Sequence, residues 1–291
     1  MYDVARRAEV SEDELARALA AARYVVLGEQ HENADHHALE ALVLRALVAR
    51  GRTPAVAFEM LSRDVQPALD AVLAQPAPTA EDVRRATGWD ASGWPPFALY
   101  APVFEAALAA GLPLVAADLS AADRKLLASD APVPAPLRAR LGLDETLPAD
   151  LTRGLERDLL DDHCGMLPAS ALPRLVRVQR GRDAELAQGL LSAPGGDGAA
   201  LDEAPEAGDG AVLVTGAEHA RLDRGAPRAL ARLAPGASVA SLAFLEVSPD
   251  VRAPLADVDA RAAGAPVFDF VWYTPRASDE DYCERMKKHS R

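Results

Sequence analysis

Short apolar runs alternate with longer stretches of helical periodicity along this chain, and that alternation limits the fold more than any other feature. Strands that alternate with helices are typical of a mostly parallel sheet with helices on both faces. The runs that predict strands are residues 23–28, 54–60, 112–119, 211–216 and 238–247, with a sixth at 268–273 that would suit an edge strand. The sequence therefore predicts an α/β fold of this kind.

Helical periodicity is clearest between the first two strands, where Asn33 or Asp35 could cap a helix over residues 34–50 and Gly51 would end it. Residues 121–191 are also mainly helical in pattern and predict a helical cap over the sheet. Residues 192–210 are rich in Gly, Ala, Pro and acidic residues, which is typical of a flexible surface loop. The length of 291 residues suits a single domain over residues 1–291.

Charge and hydropathy argue against two classes of partner. The formal net charge of −13 disfavours nucleic acid, whose phosphates need a basic surface. No run approaches the roughly 20 apolar residues of a membrane-spanning helix. The first ten residues contain no apolar signal region, so the sequence as it stands predicts a cytoplasmic protein, or a periplasmic one if a leader has been removed.

The two cysteines, Cys164 and Cys283, do not have the CxxC spacing of a metal site. Two interpretations stay open. They are either unrelated thiols or the two halves of one disulfide that joins the C-terminal tail to the middle of the chain.

Acidic and imidazole side chains lie at the ends of four predicted strands. Glu29 and His31 follow the first strand, Glu59 lies in the second, Asp118 ends the third, and the fourth leads to His219. Because ligands of open parallel sheets bind at the carboxyl ends of the strands, we expect these side chains to form one site. Taken singly, Glu29 and Asp118 could instead cap helices.

Two kinds of chemistry suit such a set. Mixed nitrogen and oxygen ligands can hold a transition metal, for which His31, His219 and Glu59 would form a two-histidine, one-carboxylate arrangement. Carboxylates and imidazoles can also act as acid and base. No Walker loop, GxGxxG, GxSxG or HExxH motif occurs, so the commoner nucleotide-binding and serine-hydrolase interpretations lose their support.

The other histidines are weaker candidates. His36 and His37 are adjacent on the predicted helix and point about 100° apart, so they cannot easily both face the site; which of them does stays open, and His36 is included as a possible ligand. His163 is equally compatible with a ligand and a structural role. His289 lies in a basic tail and is expected to be exposed.

Two further segments are candidates for ligand contacts. Arg180, Arg182 and Asp183 lie on a predicted helix, where they could form a solvated face or an anion clamp. Residues 88–102 concentrate aromatic side chains in a chain with only 5% aromatic residues. They could form a lid with contacts from Trp89, Trp94 and Tyr100, or a simple packing cluster.

At these residues the sequence resembles the ChaN family of haem-binding proteins, within a superfamily that includes Tiki, TraB and erythromycin-esterase proteins. The resemblance covers nearly the whole chain. It rests on GEQHENADHH (28–37), AFEM (57–60), GWPPFALYAP (93–102), HCGMLP (163–168), RVQRGRDAELA (177–187), GAEHARLDRGAP (216–227) and FDFVWYTPRASDEDYCE (268–284).

The resemblance implies a three-layer α/β fold, a link to iron or haem acquisition, haem iron held by tyrosine and, often, a homodimer. Tyr100 is the first tyrosine to consider. The wider superfamily includes enzymes, some metal-dependent, whose shared site matches Glu29, His31, Glu59 and His219. Many ChaN-like proteins are lipoproteins, and this sequence lacks a lipid-anchoring leader, which weakens the expectation of membrane attachment.

Two hypotheses follow. In the first, the protein binds haem or iron as its small-molecule ligand, with Tyr100 and Trp94 at the haem and Arg180 or Arg182 at its propionates. In the second, it is a metal-dependent hydrolase or iron-dependent oxidoreductase, with iron or another divalent metal. The metal ligands would then come from Glu29, His31, His36, Glu59 and His219, and the same Glu/His cluster would be catalytic.

Overall fold

One sheet organises the protein, whose computed structural model describes residues 1–192, 210–247, 253–262, 266–280 and 282–284. The strands are β1 (Tyr2–Asp3), β2 (Ala8–Glu9), β3 (Tyr24–Glu29), β4 (Ala55–Ser62), β5 (Leu114–Asp118), β6 (Ala211–Gly216), β7 (Val239–Glu246) and β8 (Phe270–Thr274). Their order is β2-β1-β8-β7-β3-β6-β4-β5. Strands β3 to β8 pair in parallel, whereas β1 pairs antiparallel with β2 and β8.

Helices cover both faces of this sheet. They are α1 (Glu12–Ala21), α2 (Ala34–Val48), α3 (Gln66–Leu73), α4 (Ala80–Thr87), α5 (Phe97–Ala109), α6 (Ala121–Ala128), α7 (Ala135–Arg140), α8 (Ala149–Asp162), α9 (Leu172–Leu191), α10 (Ala226–Leu233) and α11 (Ala256–Arg261). Along β3, Val25 and Leu27 join the core formed with α2 and α5, while Val26 joins the core formed with α9 and α10. The three-layer α/β prediction is therefore confirmed.

The predicted strands agree with the observed ones to within two residues at each end, except for the role of the last. Strand β8 was expected at an edge, and this expectation is wrong, because β1 covers it through pairing of Tyr2 with Val271. Strands β1 and β2 have two residues each, which is too short for any periodic signal.

The stretch 121–191 is helical, as predicted, with α6 to α9. The second half of α9 is buried against β5 and α10, so it belongs to the helical layer below the sheet. Gly189 permits this contact, because a Cβ there would come within 2.7 Å of the Ala117 Cβ. Residues 193–209, most of the predicted flexible loop, lie outside the described residues.

A close backbone approach fixes the end of β3. A Cβ on Gly28 would lie 2.5 Å from the Cβ of Ala220 and 2.9 Å from the Cα of Ala217. Glycine is therefore needed for the loop after β6 to pack against β3. This loop contains His219, so the contact brings that histidine to the carboxyl end of the sheet. None of the helices in the described part is long and apolar enough to cross a membrane.

Cys164 and Cys283 form a disulfide across 119 positions of sequence. Of the two interpretations of the cysteines, the bridge from the C-terminal segment to the middle of the chain is the one that occurs. It joins the loop after α8 to residues 282–284.

We predict that Cys283→Ser lowers the free energy of unfolding by about 2–4 kcal/mol, because the bridge restricts the unfolded chain. Urea unfolding measures this change. Wild-type protein treated with a reductant serves as the control and should match the variant. Equal stability of the oxidised wild type and the variant would contradict the prediction.

Candidate active site at the carboxyl ends of the strands

The first group of the site consists of Glu29, His31 and Tyr100. Glu29 ends β3, and its Oε1 lies 2.6 Å from His31 Nδ1. The Tyr100 hydroxyl donates to the same oxygen at 3.3 Å. Glu29 is buried, and its Oε2 has no hydrogen-bond partner in the described part of the chain. Glu29 thus holds the His31 ring in place from beneath.

The second group is built on Glu59, near the end of β4. Glu59 Oε2 accepts hydrogen bonds from Thr215 Oγ1 at 2.5 Å and from the Gly216 backbone at 2.6 Å. Arg182, from α9, donates to Glu59 Oε1 at 2.7 Å and, from Nε, to Asp118 Oδ1 at 3.0 Å. Both carboxylates are buried, and the guanidinium compensates their charge.

His219 completes the second group. Its Nδ1 lies 2.6 Å from Asp183 Oδ1, and its Nε2 is 3.5 Å from Glu59 Oε1. Gln179 Nε2 lies 3.4 Å from both ring nitrogens. Asp183 was predicted only as a member of the helix face with Arg180 and Arg182, not as the partner of His219, and Gln179 was not predicted as a site residue. The available signal was their separation by four positions on a helix, which puts them on one face.

Gly216 joins the two groups. A Cβ at this position would come within 3.1 Å of His31 Cε1 and 3.7 Å of Glu59 Oε2. The absence of a side chain therefore lets the His31 ring lie beside Glu59. The site formed in this way, called the strand-end site below, contains Glu29, His31, Glu59, Tyr100, Arg182, Asp183 and His219.

The neighbouring carboxylates favour the protonated form of both imidazoles. Burial lowers the pKa of His31, but the charge and hydrogen bond of Glu29, with the charge of Glu59, raise it to about 9. Burial also lowers the pKa of His219, and the charges of Glu59 and Asp183 overcome this and raise it. Burial raises the pKa of Glu59, yet His219 and Arg182 bring it well below its usual range.

His31 lies at the opening of the strand-end site. Its side chain is 34% exposed, whereas those of Glu29, Glu59 and His219 are buried. The Trp94 ring contacts the His31 ring edge-on at 4.8 Å between centres. The Arg182 guanidinium lies 6.0 Å from the centre of the Trp94 ring.

His36 and His37 have different surroundings. His36 Nδ1 accepts from the Gln30 backbone, and its Nε2 lies 2.8 Å from Thr274 Oγ1 on β8. Burial, helped by the charge of His37, lowers the pKa of His36 to about 4. With both ring nitrogens bonded in this way, His36 is not in contact with the Glu29–Glu59 centre. His37 packs against Tyr100 at 4.0 Å between ring centres and so supports the site from behind.

Tyr100 and Arg180, both predicted as ligand contacts, have surroundings that differ from that of His31. Tyr100 is fully buried, and burial with the nearby Glu29 charge raises the pKa of its hydroxyl far above the usual range. Arg180 donates to the carbonyls of Gly142 and Glu145 at 3.2 and 2.6 Å, away from Arg182, because two positions on a helix differ by about 200°.

Trp89 and His163 make packing and backbone contacts that are typical of structural residues. Trp89 is buried and contacts Tyr100 at 4.9 Å between ring centres. His163 Nδ1 bonds to the Leu159 carbonyl at 2.8 Å. His289 lies outside the described residues. Within the described ranges, no group of three or more His, Cys, Asp or Glu side chains could hold a metal ion as arranged.

Fold and site define an α/β protein with a largely buried carboxylate–imidazole centre at its strand ends. The family model described as haem-binding uptake, Tiki superfamily, ChaN matches residues 15–230, so the chain belongs to the ChaN-like haem-binding uptake family. No curated protein matches.

A solved structure with a TM-score above 0.5 has the same fold. ChaN of Campylobacter jejuni, described as binding haem cofacially, aligns with a TM-score of 0.67 at 17% identity, over 86% of this chain and 91% of that one. RRSP, a MARTX toxin effector domain from Vibrio vulnificus, aligns with a TM-score of 0.43 at 17% identity, over 76% of this chain and 34% of that one.

We predict that Glu29→Gln lowers the pKa of His31 from about 9 towards its ordinary value, because the charge that favours the imidazolium is removed. A folded-state pKa above the unfolded value stabilises the protein fully below about pH 6.5, and this stabilisation is lost as the pH rises through 9. Glu29→Gln should lack this stabilisation and should therefore be less stable than the wild type below about pH 6.5.

Histidine NMR titration of the protein without added ligand measures this pKa. Glu105→Gln, on an exposed position of α5, removes the same charge and should leave the His31 pKa unchanged. An unchanged pKa in Glu29→Gln would show that Glu29 does not control His31.

Proposed function

We propose that this chain takes up haem as cargo at the surface around His31 and Trp94, with His31 as the ligand of the haem iron. The observation that carries the proposal is the exposure of His31, because the other possible nitrogen and oxygen ligands of the strand-end site are buried. Membership of a haem-binding uptake family supplies the ligand class.

The geometry of His31 is compatible with iron binding. Glu29 occupies Nδ1, and Nε2 makes no hydrogen bond within the described residues. A carboxylate on the far nitrogen orients a ligating histidine and increases its basicity. Because the pKa of His31 is about 9, iron must displace a proton, and binding should tighten as the pH rises towards that value.

The other predicted haem contacts fit less well. Tyr100 is fully buried and its hydroxyl is bonded to Glu29, so the surroundings of this tyrosine do not suit an iron ligand. Arg182 is largely engaged by Glu59 and Asp118. Trp94 is half-buried beside His31 and offers an aromatic contact for a porphyrin face. We therefore keep Trp94 and His31 at the proposed haem surface.

We propose further that two copies of the chain share haem across this surface. Haem on an open surface leaves one face uncovered, and a second copy would cover it. The cofacial haem of the Campylobacter jejuni structure supports this arrangement for the fold.

We predict that a haemin titration above about pH 9, where His31 is largely deprotonated in both the wild type and Glu29→Gln, gives a saturable Soret shift with the wild type, no saturable shift with His31→Ala, and a roughly 10–100-fold weaker affinity with Glu29→Gln. Tyr100→Phe should bind haemin as the wild type does. Size-exclusion chromatography of the same samples reports whether haemin produces a dimer. Saturable binding by His31→Ala together with its loss in Tyr100→Phe would reverse the assignment.

A second candidate function is an acid–base enzyme. Its metal-dependent version would use iron or another divalent metal at the same Glu/His cluster. The observation that favours it is the order Asp183–His219–Glu59, in which a buried carboxylate orients an imidazole whose other nitrogen faces a second carboxylate. The Asp183–His219 pair resembles the part of hydrolase sites in which a carboxylate orients an imidazole that moves protons. Glu29 and His31 would then act at the substrate, since His31 is at the opening.

We predict for this second function that Asp183→Asn reduces the turnover of activated esters by at least about 100-fold while haemin binding is unchanged. The matched control is Asp13→Asn, at an exposed position of α1. Metal analysis of the purified protein by mass spectrometry tests the metal-dependent version. Esterase activity that is absent from the wild type, or equal in Asp183→Asn, would contradict the enzyme candidate.

We also propose that the protein works in an oxidising compartment such as the periplasm. Structural disulfides persist in oxidising compartments and are rare in the cytosol, so the Cys164–Cys283 bridge supports this location over the cytoplasmic one.

A further inference from the structure

A separate cavity of about 290 Å³ lies between α9, α10 and the segment 141–147. Its charged lining comes from Arg180 and Asp183 on α9, Glu145 on the segment, and arginines at and before α10. Those arginines are Arg224, Arg228 and Arg232. Four guanidiniums around one cavity are unexpected in a chain with 44 acidic and 31 basic residues.

Two of the charged groups on this lining are already compensated. The Arg224 guanidinium binds Asp158 and, at 2.6 Å, Glu218. The Asp183 carboxylate binds His219 at 2.6 Å. The remaining charges are those of three arginines and one acid.

Glu145 forms ion pairs with two of the three remaining arginines, but it is hydrogen-bonded to neither. Arg228 Nη2 lies 3.7 Å from Glu145 Oε1, and Arg232 Nε lies 3.9 Å from Glu145 Oε2. Both distances exceed those of a hydrogen bond. Arg180 donates only to backbone carbonyls, those of Gly142 and Glu145. Within the described residues, none of the three therefore has a hydrogen-bonded carboxylate.

The fold keeps these like charges together. Arg228 and Arg232 are four positions apart on α10 and lie on the same face, where like charges repel. The Arg232 guanidinium packs over Gly142, at which a Cβ would lie 2.6 Å from the Arg232 Cζ. Arg180 is half-buried, and burial lowers its pKa; the charges of Glu145 and Asp183 oppose this shift, whereas those of Arg228 and Arg232 add to it. An anion bound between them would relieve this repulsion.

We propose that this cavity, the arginine pocket, binds the phosphate group of a small phosphate monoester. Three guanidiniums and one carboxylate leave two uncompensated positive charges, and a phosphate monoester carries about −1.5 to −2 at pH 7. Guanidinium forks match phosphate oxygens in pairs. The volume admits a small phosphorylated molecule.

The arginine pocket is distinct from the proposed haem surface. Its lining, as far as the structure describes it, includes no His, Cys, Met or Tyr to ligate haem iron. Asp183 connects it to the strand-end site, since this residue lines the pocket and binds His219. The proposal does not depend on the haem proposal.

Isothermal titration calorimetry of the full chain with glycerol 3-phosphate tests the proposal. We expect saturable binding that Arg228→Gln/Arg232→Gln weakens at least about 10-fold and that Glu145→Gln tightens about 3- to 10-fold. The tightening is decisive, because misfolding cannot produce a gain of affinity. The control Arg84→Gln/Arg85→Gln removes the same charge from α4 and should change the affinity less than about twofold.

Inorganic phosphate and succinate separate the possible ligands. Phosphate alone should bind more weakly than the monoester, and succinate should not compete. Equal binding of succinate would replace the phosphate assignment with a dicarboxylate and overturn the proposal. Absence of monoester binding at millimolar concentration, or equal affinity in Arg228→Gln/Arg232→Gln, would also overturn it. Haemin binding should be unaffected in that double variant.

Discussion

The ion pair between Arg182 and the buried carboxylates of Glu59 and Asp118 is the constraint on which the site depends. A buried carboxylate is costly unless it is paired and hydrogen-bonded, and here two neighbouring strands each present one. Helix α9 can compensate both only in the rotation that brings Arg182 over β4 and β5. In this rotation the next residue, Asp183, faces His219. The pairing of Arg182 with Glu59 and Asp118 thereby places Asp183 where it orients the imidazole of His219.

This constraint divides the strand-end site into a closed part and an open part. Glu59 uses Oε2 for Thr215 and Gly216 and Oε1 for Arg182, so its position is fixed by hydrogen bonds on both oxygens. His31 differs, because only one of its ring nitrogens is held and its side chain reaches solvent. The closed part holds its charges in fixed positions, and the open part, at His31, is where a ligand can bind. Both proposed functions use this same division.

The sequence predicted the layers of the fold and most of the strand-end residues, because buried parallel strands form continuous apolar runs and their ends carry the polar residues. It could not predict β1 and β2, since two-residue strands have no period. The sequence could not predict the rotation of α9 either, so Arg180 and Arg182 looked equivalent, and Asp183 was not recognised as the partner of His219. Tyr100 was placed at a ligand by family resemblance, whereas its apolar neighbours in α5 put it in the core.

Helix α9 is the element through which these parts influence one another. Successive residues of an α-helix differ by about 100° in direction, so Arg182 points away from Arg180 and towards the buried carboxylates. Arg180 and Asp183 are only about 60° apart, and both line the arginine pocket, while Asp183 also binds His219. A ligand of the proposed arginine pocket that displaced the backbone of α9 would also displace Asp183, the partner of His219. Any such coupling must act in both directions, since linkage between two binding sites is reciprocal.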